Sequence, residues 1–369
     1  MNRLFRWDQM GLFLLALAAG ILPFAVPEVC AAALREGLAL CSGPLLLSLF
    51  PFLVVSRLLI QCPESDLLAL PFRLAAWGIG IRTPCAARVL CIGFLGGFAP
   101  AASAAAQAVR TGQLTAEEAD ALLPACICSG PSFVVLTVGQ SLLGSAELGV
   151  LLFASQITAN YLTAALLNRF AGVRSVKPGS AVPAFPAPPR LDEILADAAI
   201  TYCKLCGFIL FFRMLAAGAG ALLPAGAGTL CSILLEVCSG CDLASRTGRW
   251  GSLLCCAALS VQGLSVLLQV RTICPPEMTL RPLYRARMLH LPLSLALFYL
   301  LLPGGEADVF STLPARVLLM RRVPPDCALL VFAVCCMAAC TLRSGIRQVE
   351  QKQMARNAGG CCINSKTLL

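Results

Sequence analysis

Long runs without a single Asp, Glu, Lys or Arg constrain this chain most. They cover residues 9–27, 37–56, 89–109, 121–146, 148–168, 252–270 and 288–305. Each approaches or exceeds the roughly 18–20 residues a helix needs to cross a hydrocarbon core, and a bilayer leaves spanning backbone only helices or closed barrels. Barrel strands are about half that length, so the pattern predicts an all-α, polytopic helical membrane protein. Composition agrees: 58% of residues are hydrophobic and 13% charged, against roughly 25% charged in soluble domains.

Several runs carry small and polar residues where a plain anchor would carry leucine, and the interruptions recur. In the first half they fall in 48–57, 93–100 and 128–135, in the second in 204–213, 236–242 and 261–268. Interrupted apolar segments at corresponding places in two halves point to the substrate site of a secondary transporter. Between the halves lies a Pro-rich stretch, a semi-rigid connector. The expected organisation is an N-terminal helix (1–36), a first repeat (37–170), a cytoplasmic linker (171–197), a second repeat (198–305), a C-terminal helix with its preceding loop (306–345) and a basic cytoplasmic tail (346–369).

The positive-inside rule sets the orientation. Arg3 and Arg6 hold the N-terminus in the cytoplasm, and 9–27 reads as a retained first helix. If 89–109 crossed fully, the linker bearing Arg174, Lys177 and Arg190 would lie outside. A re-entrant hairpin with its tip at 93–102 restores the parity, and a second at 236–245 matches it from the opposite side. The expectation is about eight spans plus two re-entrant hairpins in an inverted-topology repeat. The loop carrying Arg271, Arg281, Arg285 and Arg287 is then cytoplasmic, as is the tail beyond a last span at 327–342.

Candidate binding residues follow from the breaks. Ser129-Gly-Pro-Ser132 and Ser239-Gly-Cys-Asp242 have the composition of a helix break, where freed backbone N–H groups and the positive end of a half-helix favour an anion. Ser129, Gly130, Ser132, Ser239 and Gly240 are therefore candidates, as are Gly96 and Gly97. The alternative is that small residues only let helices pack closely. Arg57 and Arg213 end equivalent Phe-containing segments, and an arginine in a span faces a cavity, a partner or the interface. Two guanidinium groups suit a dicarboxylate. Asp242 and Glu236 either carry a coupling proton or cation or neutralise Arg213 or Arg246. Gln262, Ser265 and Gln269 form a polar stripe on one helical face, lining a pore or bonding between helices. His290 reads as a structural interfacial histidine, and Glu117, Glu118 and Asp120 as first-turn acids behind the N-cap Thr115.

Twenty-one cysteines lie mostly inside apolar runs and read as small hydrophobes. The CxxC pairs Cys203/Cys206 and Cys238/Cys241 are too isolated for a metal site, so no cofactor is expected. The net charge of +9 is spread over loops and tail, which speaks against nucleic-acid binding. Walker, HExxH and GxSxG motifs are absent, so the sequence supports no enzyme.

Five motifs carry a family likeness: Leu49-Phe-Pro-Phe52, the Gly-rich 93–102, Leu114-Thr-Ala-Glu-Glu-Ala119 running into Cys128-Ser-Gly-Pro-Ser132, Gly263-Leu-Ser-Val-Leu-Leu-Gln-Val270, and Tyr284-Arg-Ala-Arg-Met-Leu-His290. In their order and spacing the chain resembles the nucleoside-recognition (Gate) domain family and, within it, the YlbJ-type sporulation integral membrane proteins. The resemblance implies a transporter-like protein of the bacterial cell membrane, or of the outer forespore membrane, that moves dipicolinic acid during endospore formation. It also implies a repeat like that of concentrative nucleoside transporters. Partners would be the bilayer, the small anionic solute and a coupling proton or cation. Two departures lower hydrogen-bonding capacity. Gly96-Gly-Phe-Ala-Pro-Ala-Ala102 lacks the Tyr and later Gly usual in the family, and Cys126-Ile-Cys128 stands where asparagines commonly precede Ser-Gly-Pro. A non-transporting scaffold of a sporulation complex and a nucleoside-type carrier are the alternative readings.

Overall fold

The structure is a computed structural model that describes residues 2–62, 65–171 and 191–302. The expected last span, the basic tail and most of the Pro-rich linker lie outside these residues. Among the described residues 87% are helical and none is in a strand. By length and composition, four helical stretches can cross a membrane: Pro27–Leu47, Ala146–Ala171, Leu191–Leu222 and Gly248–Ile273.

The chain opens with α1 (Asn2–Ala25), α2 (Pro27–Ser42) and α3 (Pro44–Gln61), each boundary followed by proline at the first helical position, where its missing N–H costs nothing. The charge-free run 37–56 is thus divided at Gly43-Pro44 and is not one helix. Short helices α4 (Ser65–Leu68) and α5 (Leu70–Gly78) lead into α6 (Pro84–Gly96) and α7 (Phe98–Arg110). These two pack against each other as a helical hairpin. Its tip is Gly97, at φ +79°, inside the segment expected to turn.

Helix α7 explains its own composition. Seven of its alanines, Ala99, Ala101, Ala102, Ala104, Ala105, Ala106 and Ala108, are buried because α3, α6, α8 and α14 surround it. Small side chains let four neighbours approach one axis. Helix α8 (Ala116–Cys126) starts at a capping box: the Thr115 hydroxyl accepts from Glu118 N, and Glu118 returns a bond to Thr115 N. After an extended break at 127–130 the chain resumes as a π-helical segment, Ser132–Leu142, and then α9 (Ala146–Ala171).

The same order then recurs. Helix α10 (Leu191–Leu222) begins inside the segment assigned to the linker. A second hairpin follows, α11 (Ala225–Leu235) and α12 (Val237–Ser245), which pack together. Its tip is Glu236, and 237–245 is a helical arm, which corrects the expected tip at 236–245. Helix α13 (Gly251–Val261) is divided from α14 (Gly263–Ile273) at Gln262, which adopts the left-handed conformation (φ +66°). The polar stripe of Gln262, Ser265 and Gln269 is therefore not one helical face: Gln262 sits in the break and only the other two lie on α14. Last comes α15 (Arg281–Leu301), packed on α8, α9 and α13.

Asp120 ties the halves together. Its carboxylate accepts from Thr279 N (2.8 Å), the Thr279 hydroxyl (2.7 Å) and Leu280 N (3.1 Å), holding the left-handed Leu280 that opens α15. It is a long-range anchor and not a local first-turn acid.

Candidate solute-binding centre

Two hairpin tips and two helix breaks are available to build a site, and the fold brings all four together. A Cβ on Gly97 would lie 2.6 Å from Gly130 N and 3.2 Å from Cys128 O, so the first tip rests on the first break. A Cβ on Gly263, itself at φ +69°, would lie 3.0 Å from the backbone of Leu235 and Glu236, so the second tip rests on the second break. The breaks meet each other through Gln262, whose Nε2 donates to Ser129 Oγ (3.4 Å) and to Leu259 O (2.7 Å). Ser129-Gly-Pro-Ser132 and Gln262-Gly-Leu-Ser265 correspond position for position.

Breaking a helix exposes carbonyls at its C-terminal stump and amides at the N-terminus that resumes. Arg287 serves the carbonyls. Its guanidinium donates to Ile127 O (2.7 Å) at the end of α8, to Ser260 O (3.4 Å) in the last turn of α13, and to Asn160 Oδ1 (3.3 Å). Ile127 and Ser260 each stand two residues before their break residue, so one cation quenches the negative ends of both interrupted helices. The resuming N-termini are treated differently. Neither Pro131, before the π-helical segment, nor Gln262, before α14, offers a side-chain cap. At the second tip the Glu236 carboxylate caps α12, accepting from Cys238 N (2.9 Å) and Ser239 N (2.7 Å). With the carbonyl ends quenched by Arg287, the uncapped amide ends at Gly130 and Gly263 leave the centre suited to an anionic group.

The surrounding shell is polar and buried. From α9, Gln156 Nε2 donates to Ser260 Oγ (3.0 Å) and Asn160 Nδ2 to Ile127 O (3.2 Å). From α15, His290 Nε2 meets Gln156 O (3.2 Å), and Ser294 and Ser260 share a hydrogen bond. Four polar atoms find no partner here or on α14: Gln262 Oε1, Gln269 Oε1, Arg287 Nε and His290 Nδ1. Buried polar atoms in native proteins are nearly always satisfied, so orphans mark where water or a ligand belongs.

The candidates from sequence divide accordingly. Gly96, Gly97, Ser129, Gly130 and Gln262 meet at the centre. Ser132 opens the π-helical segment one turn on, and Ser265 accepts from Gln269 Nε2 (2.9 Å) on α14. Ser239 and Gly240 lie on α12 just past the tip, Gly240 pressed against Ile233 of the opposite arm. Asp242 is elsewhere, in an exposed i,i+4 pair with Arg246 (2.9 Å). The two arginines are not together. Arg57 pairs with Asp197 and Arg213 with Glu36 (2.8 Å). From Asp197 to Arg213 along α10 is roughly 24 Å at about 1.5 Å per residue, so they do not clamp one dicarboxylate.

Arg287 was assigned to a cytoplasmic loop and His290 to the interface, yet both are buried. A signal existed: Leu283, Arg287, His290, Ser294 and Phe298 recur at three- and four-residue spacing, which puts the polar three on the face that packs. Comparison of the chain with protein-family models, with curated proteins and with solved structures gave no match.

Proposed function

We propose that this chain is a secondary-type carrier of a small anionic solute, working by alternating access between two inverted repeats. The observation that carries this reading is the meeting of both breaks and both tips at Ser129 and Gln262, a pair 133 residues apart in sequence but joined by one hydrogen bond. Discontinuous helices with half-helix N-termini aimed at a central site are how many secondary carriers hold an anionic substrate.

The inverted arrangement has support from where helix ends meet. Arg57 near the end of α3, Arg110 at the end of α7, Lys204 in the first half of α10 and Thr272 at the end of α14 line one cavity. Positive-inside counting assigns those same ends to the cytoplasmic side, which leaves α6/α7 entering from that side and α11/α12 from the other. The Gate-family likeness makes dipicolinate the solute of choice. Ser129, Gly130, Gln262 and Gly263 would hold it, with Arg287 supplying positive potential from behind. Glu236, already bonded to two amides, acts as a cap, so a coupling ion is not assigned to it.

Uptake of radiolabelled dipicolinate into proteoliposomes tests this. The expected result is time-dependent accumulation that Gln262→Ala abolishes while the variant still elutes as folded protein. Accumulation of a nucleoside in its place would favour the nucleoside-type reading. With neither solute moved above empty vesicles, the carrier reading fails and the scaffold reading stands.

A further inference from the structure

A second charged site lies apart from the centre. Where α3, α7 and α14 end beside the early turns of α10, a cavity of about 170 Å³ is lined by Arg57, Arg110 and Lys204, with Asp197 the one acid, and by the hydroxyls of Ser103, Thr201 and Thr272. Along α7 its lining runs from Ser103, roughly 9 Å from the Gly97 tip, to Arg110, roughly 20 Å away at about 1.5 Å per residue, so its Arg110 end lies well away from the centre.

Its charges do not balance internally. Asp197 is taken by Arg57, which also donates to Thr201 Oγ1 (3.4 Å). Arg110 and Lys204 form no ion pair among the described residues. Arg57 is largely buried, and its Nε has no partner. Three cations and one carboxylate therefore surround an open volume several times what one water needs, yet below the roughly 300 Å³ where pockets for drug-sized ligands begin. The Thr201 and Thr272 hydroxyls are spent on Asp197 O (2.8 Å) and Gln269 O (2.8 Å), so the cations are the donors. Such a site fits one oxyanion head. Basic pockets between helices near a membrane surface take phosphate groups in this way, and guanidinium and ammonium groups bind phosphate through charge-assisted hydrogen bonds.

We propose that this pocket binds a phosphate-type oxyanion, with Arg110 and Lys204 as the groups that recognise it and the Arg57–Asp197 pair as its floor. Two sources share that chemistry, an anionic lipid headgroup and free phosphate. The site does not depend on the carrier reading of the centre, since none of its residues belongs to the breaks or tips.

The test uses the full chain and the double variant R110Q/K204Q, which leaves the Arg57–Asp197 pair intact. R246Q/R249Q serves as a charge-matched control remote from the pocket. Purified proteins are incubated with vesicles of phosphatidylglycerol or phosphatidylcholine, and retained lipid is counted by native mass spectrometry. In a second arm, inorganic phosphate is titrated and the unfolding midpoint followed. The expected result is preferential retention of phosphatidylglycerol, reduced about tenfold in R110Q/K204Q and unchanged in the control. No lipid preference, with a phosphate-dependent midpoint shift lost only in R110Q/K204Q, would support the same site with a soluble ligand. Equal behaviour of the two variants, or no response in either arm, overturns the proposal. Because each readout compares ligand with no ligand in the same folded sample, a variant that loses stability still reports on the site.

Discussion

A buried arginine with no carboxylate beside it is expensive, and Arg287 is tolerated because two severed helices present carbonyls that need a donor. Removing its guanidinium leaves Ile127 O, Ser260 O and Asn160 Oδ1 without it. Arg287→Ala is therefore expected to cost about 3 kcal/mol, seen as a lowered unfolding midpoint in detergent. The contrast between two acids is as informative. Glu236 is 2% exposed and caps two amides, so Glu236→Ala should cost about 1–2 kcal/mol. Asp242 is a surface partner of Arg246, and Asp242→Ala should change stability by less than about 0.5 kcal/mol. Equal losses in the same unfolding experiment would contradict the placement of both. Sequence ranked these residues the other way round. Asp242 stands beside a recognisable Ser-Gly pair, whereas Arg287 hides among Arg281 and Arg285, and only its place in the spacing Leu283, Arg287, His290, Ser294, Phe298 separates the buried arginine from the others.

At the scale of elements, the hairpin tips and breaks depend on close backbone approach, so side chains added there must displace backbone. Gly97→Ala meets Gly130 N at 2.6 Å from a positive φ, and Gly263→Ala meets Leu235 and Glu236 at 3.0 Å from another. Each should lower the yield of folded protein and destabilise it by about 2 kcal/mol or more. Gly207→Ala, in mid-α10 with nothing within 4 Å, should be neutral or stabilising by up to about 1 kcal/mol. Size-exclusion profiles and unfolding midpoints measured side by side check this. The first tip and first break were legible because Gly-Gly and Ser-Gly-Pro cannot continue a helix comfortably. The second break was legible only as an interrupted run at 261–268 and was also read as one continuous polar face, because Val261-Gln-Gly-Leu contains one helix-tolerated glycine; the Gln262 side chain bonds to Leu259 O and to Ser129 across the break. The tip at Glu236 was misplaced for a related reason, since Cys-Ser-Gly-Cys looks like a turn but is wound as helix beneath a carboxylate cap.

For the whole molecule, an all-helical architecture with helices long and apolar enough to cross a membrane was readable from the charge-free runs. What could not be read was the polar seam between halves, where Gln156, Asn160, Ser260, Arg287, His290 and Ser294 come from three helices with no shared motif. That seam makes the candidate centre a joint between the halves. Both breaks are closed here, with Ser129 and Gln262 6% and 1% exposed, so under the proposed carrier reading a solute would have to part them to enter or leave. Counterflow in proteoliposomes tests this most directly: vesicles preloaded with unlabelled dipicolinate are diluted into labelled dipicolinate, and the initial rate is compared with that of empty vesicles. Alternating access at one joint predicts a rate several-fold higher with preloading, and its loss in Gln262→Ala. The same rate with and without preload, or stimulation that survives Gln262→Ala, would contradict a single site shared by the two halves.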